Sequence, residues 1–505
     1  MTPLSANHRS FLWVLALSLL FGFAFQGSRG IWDADEGRYV NVALQMVDSG
    51  DWSLPRRHPD TLHLTKPPAT YWAIAASASL FGTSELALRL PNTLAYVLSI
   101  LLCFGIGRRL VPERPWLPAL IYATLPLPFL AANWVTTDTL LATTEALALF
   151  CCVEALFGGH STSTARRWAL AMWAAFGLAF IVKGPPALLP LLGLLAWRLG
   201  RRRRDSDSPR IFSVSGVVLF LLVGGSWYVW AMLKVPGLFD YFVGHEVADR
   251  IASAKMQRFP EWWGAFYVYG LTLLLGTLPW LLWSGLRRGG WLRHRPRVSA
   301  WREQWSALPP ERRLLWLWLL LPLLVFFIAR SRLPLYVLPL FAPMAVLLAV
   351  AFRDHPFRRS NLVGIGIWSL LLLSLKFATG FYHHSKDGRE LAAQILPTLG
   401  EWPAELVFID DYTRYSLAPY CHCRIEKVSL DPLPQPQPVS GGTFDDDFAS
   451  EMQQDEGPRA FIMRKSRAPH FEKIAAQHGY RVQHLGGYRD RVIYRLDPDS
   501  DNNSE

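Results

Sequence analysis

Eleven apolar runs succeed one another between residues 11 and 380, most of them near the roughly 20 residues that an α-helix needs to cross a bilayer. They fall at about 11–25, 92–107, 115–132, 139–157, 168–182, 185–199, 211–233, 263–286, 314–329, 334–352 and 361–380. Nothing else restricts the chain as strongly. In hydrocarbon the backbone must satisfy its own hydrogen bonds, so such a series folds as a bundle of membrane-spanning helices. No small-x-small cleavage site follows the run 11–25, which reads as an uncleaved first span. Pro185 and Pro186 split one long apolar stretch into two. The run Pro67–Phe81 is short, rich in Ala and Ser and weakly apolar. It reads as a segment lying on, or dipping into, one face of the membrane.

Charge assigns direction. Arg108, Arg109 and Arg114 fall in one short loop, Arg166 and Arg167 in another, and Arg198, Arg201, Arg202, Arg203, Arg204 and Arg210 in a third. The segments 287–313 and 353–359 are also Arg-rich. Loops of this kind stay cytoplasmic. The segments 32–66, 133–138, 234–262 and 330–333 then lie outside. This pattern predicts about eleven crossings, or thirteen, with residues beyond 380 outside in either case. The net charge of +11 resides in these loops, so it is not a nucleic-acid footprint.

Beyond residue 380 the composition changes. Residues 386–505 hold 14 Lys+Arg against 20 Asp+Glu, net −6, while the preceding 385 hold 37 against 20, net +17. Only 18% of the whole chain is charged, against about 25% in soluble proteins. The short β-like runs Leu406–Ile409, Ala460–Met463 and Val492–Leu496, with a helical stretch Pro469–His478, predict a small α/β domain. Pro432–Pro438 and Asp445–Asp447 read as loop. The domain division is therefore 1–380, membrane-embedded with an outer-face loop over 32–91, and 381–505, soluble. Cys103, Cys151 and Cys152 lie in apolar runs as space-fillers, and Cys421 and Cys423 form a local disulfide or remain thiols.

The outer segments carry the unusual polar residues. Trp32-Asp33-Ala34-Asp35-Glu36-Gly37-Arg38-Tyr39 places three carboxylates, an Arg and a Tyr just beyond the first span. Ionisable groups at that depth are costly unless paired or functional. A purely structural role is available: Asp35 as an N-cap and Tyr39 as an aromatic anchor. In Leu64-Thr65-Lys66-Pro67-Pro68-Ala69-Thr70-Tyr71-Trp72, two prolines pin the backbone after Lys66 and present its ammonium, with Tyr71 close behind. Asp138 stands at an outer helix start, where it could serve merely as a cap. His245 and Arg250 lie in one later outer segment, and Arg330, Arg332 and Tyr336 in or beside another. Carboxylates and phosphate-type cations thus gather on one predicted side, where such cations can hold a phosphate.

Six motifs in order carry a family resemblance over about residues 10–380. They are Asp-Glu-x-Arg-Tyr at 35–39, Lys-Pro-Pro-x-x-Tyr-Trp at 66–72, Arg-Leu-Pro-Asn at 89–92, Thr-Thr-Asp-Thr-Leu at 136–140, Lys-Gly-Pro at 183–185 and Leu-Pro-x-Tyr-x-Leu-Pro at 333–339. The chain resembles the C-type glycosyltransferases, in the protein-mannosyltransferase-like branch that contains the bacterial aminoarabinose transferases of lipid A. The resemblance implies transfer of a sugar, with inversion at its anomeric carbon, from a polyprenyl phosphate to lipid A or another periplasmic glycan, lipid or protein. It implies a multi-pass inner-membrane location, among membrane lipids, with the active face and the C-terminal domain periplasmic. Asp35 matches the essential carboxylate and Asp138 a second one. Arg38, Lys66, Arg250 and Tyr336 match positions around the lipid phosphate; Tyr39, Tyr71, His245 and Arg332 are further candidates for substrate binding. The aminoarabinose branch often has a Glu before Lys-Pro-Pro that can join a His in a metal site. Thr65 stands there in this chain, so no cofactor is firmly implied, and a divalent metal has only His245 in its favour.

The chemistry agrees with this. Nucleotide sugars are not available outside the inner membrane, and a lipid-linked phosphosugar supplies an activated bond there. Displacement needs a stabilised leaving phosphate and an oriented acceptor. Two alternatives are a polyprenyl-lipid flippase, whose spans would show inverted repeats, and a membrane scaffold, which needs no clustered carboxylates. No such repeats are visible in the sequence.

Overall fold

A computed structural model of the chain describes residues 6–200, 211–242, 258–287, 298–354, 356–433, 444–454 and 457–498. The chain divides into two compact units, the first made of Met1–Gln26, Arg89–Lys234 and Leu238–Ala378, the second of Gly27–Leu88, Val235–Gly237 and Thr379–Glu505.

The first unit is helical. Among the described residues of the chain, six helices are long and apolar enough to cross a membrane: Glu85–Leu110, Thr137–Phe157, Thr162–Lys183, Val214–Lys234, Pro334–Phe352 and Arg359–Phe381. Apolar side chains serve two surfaces. Tyr96, Ile100, Cys103, Tyr122, Phe129, Trp280 and Phe341 are buried together. Leu362, Val363, Ile367, Leu370 and Leu371 face outward on Arg359–Ala378, as expected of a lipid-facing helix.

Two apolar runs are interrupted where the sequence suggested continuous spans. The run 115–132 is two helices, Trp116–Thr124 and Pro126–Ala131, joined at Leu125 in an extended conformation. Pro126 disfavours helical geometry at Leu125. Pro126 and Pro128 also lack the N–H groups that would bond back to Tyr122 and Thr124. The indole of Trp368 donates instead to the Thr124 carbonyl (2.8 Å), and that of Trp280 to the Thr124 hydroxyl (2.9 Å). The run 263–286 likewise divides into Phe266–Gly276 and Trp280–Arg287 around Pro279. Cys103, Cys151 and Cys152 are buried free thiols.

The second unit contains a six-stranded sheet. Its order is Asp446–Asp447, Arg424–Ser429, Glu405–Ile409, Arg459–Arg464, Arg491–Pro498, Tyr480–Tyr488. The first four strands are parallel and the last two pairings antiparallel. The predicted strands and the helix Ala468–Gln477 are present. Asp446–Asp447, read from sequence as loop, is instead an edge strand held by Val428 and Ser429. Pro432 and Leu433 follow a strand, whereas 434–438 lie outside the described residues. Strand Glu405–Ile409 is buried along its whole length, and Phe448, Phe461 and Phe471 pack beside it in one cluster. Cys421 and Cys423 form a disulfide. The same unit holds the helices Asp35–Ser49 and Ala69–Phe81 and the small hairpin Arg56–His58/Thr61–Leu62. The chain is thus a polytopic helical membrane protein with a small C-terminal α/β domain.

Candidate functional site

The three carboxylates that follow the first span are not equivalent. Glu36 is fully buried and accepts two hydrogen bonds from the Arg29 guanidinium (2.7 and 3.1 Å) and one from the Trp32 backbone N–H (2.9 Å). Arg29 lies over the Trp32 ring, 4.4 Å from its centroid. Asp33 is also buried and accepts from the Ser416 N–H (3.0 Å) and hydroxyl (2.7 Å). Asp35, between them in sequence, is 58% exposed and pairs with Arg38 at 2.5 Å. Gly37 is required by close approach: a Cβ there would lie 2.5 Å from both Asp33 Oδ1 and Ser416 N. The segment around Asp35 is therefore anchored on both sides, and the one carboxylate left accessible is Asp35. It opens the helix Asp35–Ser49 from within its first turn and is not the N-cap, a position held by Ala34.

Arg38 lies 5.8 Å from the Tyr39 ring centroid, and the Tyr39 and Tyr71 rings stand 5.6 Å apart. Lys66 donates to the Thr65 carbonyl (2.9 Å), and the Thr65 hydroxyl meets His63 Nε2 at 3.0 Å. His63 was not a sequence candidate. Burial, reinforced by Arg38, Arg57 and Lys66, drives its pKa well below the usual value, so the imidazole is neutral at pH 7.

Burial also raises the Asp33 carboxyl to about 6, against the opposing Ser416 hydrogen bonds. The folded state therefore binds more protons than the unfolded state between its ordinary pKa and this value. Through this group, stability rises as pH falls across that window. We expect Asp33→Asn to lose stability against the native chain as pH drops from about 6 to about 4, by an amount approaching about 3 kcal/mol. Thermal unfolding of both proteins in detergent checks this; a pH-independent difference contradicts it.

In the first unit, Asp138 pairs with Lys183, the last residue of helix Thr162–Lys183. Thr136, not Asp138, caps the helix Thr137–Phe157, accepting from the Asp138 N–H. Lys183 Nζ stands 4.7 Å from the Tyr336 ring centroid. Toward the other end of the same helix pair, Glu154 accepts from Arg109 (2.7 and 2.8 Å) and meets His160 at 2.7 Å. Asn92 donates to the carbonyls of Trp134 (2.6 Å) and Thr136 (3.2 Å), holding the approach to Asp138. Arg332 donates to the carbonyls of Phe259, Glu261 and Phe327, so its buried guanidinium ties loops together. His245 and Arg250 lie outside the described residues.

Each unit thus gathers part of the candidate set: Asp35, Arg38, Tyr39 and Tyr71 in one, Asp138 and Tyr336 around Lys183 in the other. Lys183 was visible in sequence as part of Lys-Gly-Pro, but its role as the Asp138 partner was not.

These features define a membrane-embedded protein with charged and aromatic clusters at helix ends and loops. Residues 65–230 match the dolichyl-phosphate-mannose-protein mannosyltransferase family. The undecaprenyl phosphate-alpha-4-amino-4-deoxy-L-arabinose arabinosyl transferase of Edwardsiella ictaluri is 33% identical over 396 residues, 74% of this chain and 67% of that protein. The corresponding transferase 2 of Pseudomonas fluorescens is 32% identical over 380 residues, 73% of this chain. The matched region spans 64% of the length of that relative. The crystal structure of ArnT from Cupriavidus metallidurans bound to undecaprenyl phosphate superposes with a TM-score of 0.72, at 21% identity, over 96% of this chain and 97% of that one. The chain belongs to the aminoarabinose-transferase family of C-type glycosyltransferases.

Proposed function

We propose that the chain is an inverting glycosyltransferase that moves a sugar from undecaprenyl phosphate, or a closely related polyprenyl phosphate, to a periplasmic acceptor of the lipid A type. The observation that carries this reading is the presentation of Asp35 with Arg38, inside the Asp-Glu-x-Arg-Tyr motif at 35–39, on a segment anchored by its buried neighbours. The acceptor oxygen attacks the anomeric carbon from the face opposite the phosphate. The bond from that carbon to the phosphate oxygen breaks as the new one forms, and the polyprenyl phosphate leaves with the electron pair. A hydroxyl acceptor gives its proton to Asp35; a phosphate acceptor is already anionic and is oriented by it. Arg38 fixes the Asp35 carboxylate, and Tyr39 and Tyr71 shape the wall beside it.

Lys66 and Arg250 supply positive charge to the donor phosphate, the largest electrostatic demand of the step. His245 takes a supporting role in the same outer segment as Arg250. Asp138 holds Lys183 beside Tyr336, and Arg332 positions the 258–261 loop. The active face and the C-terminal domain are periplasmic in this reading, with the protein in the bacterial inner membrane. The Arg-rich loops support that orientation.

Lys66→Met and Arg250→Ala are each expected to weaken binding of undecaprenyl phosphate by about 10- to 100-fold, the worth of one charge-assisted hydrogen bond. Titration of the purified variants checks this; unchanged affinity in both removes them from the phosphate site. Mass spectrometry of lipid A from cells with and without the chain tests the acceptor. An unchanged lipid A directs the search to other surface glycans.

A further inference from the structure

The second unit buries a group of side chains that the transfer reaction does not use. The hairpin Arg56–His58/Thr61–Leu62 places His58 against the sheet, where its side chain is 1% exposed. Nε2 of His58 is 2.9 Å from Glu405 Oε1, and Nδ1 is 4.0 Å from Glu426 Oε1. Glu405 and Glu426 belong to adjacent parallel strands. Val407 is the register partner of Glu426, and residues two apart share a face, so Glu405 and Glu426 point to the same side. One donor atom from each of His58, Glu405 and Glu426 lies within 4.8 Å of the others, and the same holds for Glu426, Asp446 and Glu451.

Negative charge is in excess there. Glu405, Glu426 and Glu451 are fully or almost fully buried. Arg459 faces Glu451 at 3.1 Å, and Arg57, paired with Asp445 at 2.5 Å, also acts on Glu426. The Glu426 side chain is 2% exposed, and its carboxyl lies in hydrogen-bond contact with that of Glu451. An ionised carboxylate cannot be buried in that way without a counter-charge. Either a proton or a cation must supply it. A cation is within reach of one donor atom each from His58, Glu405 and Glu426 at once.

We propose that His58, Glu405 and Glu426 bind a divalent transition-metal ion. One imidazole nitrogen with carboxylate oxygens and no sulfur is a donor set of the zinc class. The ion supplies positive charge where the His58, Glu405 and Glu426 donor atoms converge. Its role is structural: it fastens the hairpin that precedes Lys66 to the sheet of the same unit. The inference does not depend on the transferase reading, because its test requires no turnover.

The full chain in detergent is equilibrated with zinc sulfate and desalted, and bound zinc is counted by elemental mass spectrometry. About one ion per chain is expected at this site, with a zinc-dependent rise in melting temperature. Glu426→Gln resembles the protonated carboxyl in shape and charge, and should fold, yet lose that ion and the thermal shift; His58→Gln should do the same. Zinc X-ray absorption on the unsubstituted chain should show one imidazole with oxygen ligands near about 2.0–2.2 Å and no sulfur. A chain that retains no zinc overturns the proposal. So does equal zinc content in the native chain and both variants, or a shell containing sulfur or several imidazoles. If neither variant folds, the absorption spectrum and zinc count of the native chain decide.

Discussion

Asp35→Asn is expected to insert and fold as the native chain does, to bind polyprenyl phosphate, and to transfer sugar about 100- to 10,000-fold more slowly. The geometry makes this substitution discriminating. Asp35 is more than half exposed and caps nothing, so its loss removes no buried partner. Its pairing with Arg38 is a half-exposed contact, worth at most about 1 kcal/mol to stability. A large fall in rate with an unchanged melting temperature therefore assigns the negative charge to the reaction. Near-native turnover, measured with a hydroxyl acceptor in reconstituted vesicles, would return Asp35 to a structural role and shift attention to Asp138.

The adjacent residue should behave in the opposite way. Glu36→Ala is expected to destabilise the protein by about 3–5 kcal/mol, because it leaves the buried Arg29 guanidinium without its counter-charge. Glu36 accepts from both terminal nitrogens of Arg29 and from the Trp32 backbone, with no exposure of its own. Removing it also strips one anchor from the turn that presents Asp35. Glu36→Gln keeps an acceptor for the Trp32 N–H and should be hurt less. Thermal unfolding in detergent measures the loss; a change below about 1 kcal/mol would place the pair among surface ion pairs.

The contrast between these neighbours shows where sequence reading stops. Asp33, Asp35 and Glu36 present themselves in sequence as one acidic cluster. Their separation into two buried anchors and one accessible carboxylate depends on Ser416, nearly four hundred residues away, and on the side-chain orientation of Arg29. The apolar runs and the strands of the tail were legible because hydrophobicity and periodicity are local properties. So were most span ends, whereas the break at Leu125 needed attention to Pro126 and Pro128 as missing donors. The Asp138–Lys183 pair joins the start of one helix to the end of the next and has no local signature. His58 is silent in sequence for the same reason: its partners Glu405 and Glu426 come from strands whose order no local pattern gives.

The decisive proposed step is departure of the sugar from its lipid carrier in a single displacement. Purified chain in proteoliposomes, supplied with anomerically defined, labelled undecaprenyl-phosphate aminoarabinose and lipid A, tests it directly by product NMR and lipid mass spectrometry. The predicted result is labelled lipid A whose new linkage has the opposite anomeric configuration to the donor, with one undecaprenyl phosphate released per sugar transferred. Donor that crosses between leaflets with its sugar still attached, with no free undecaprenyl phosphate formed, would contradict it.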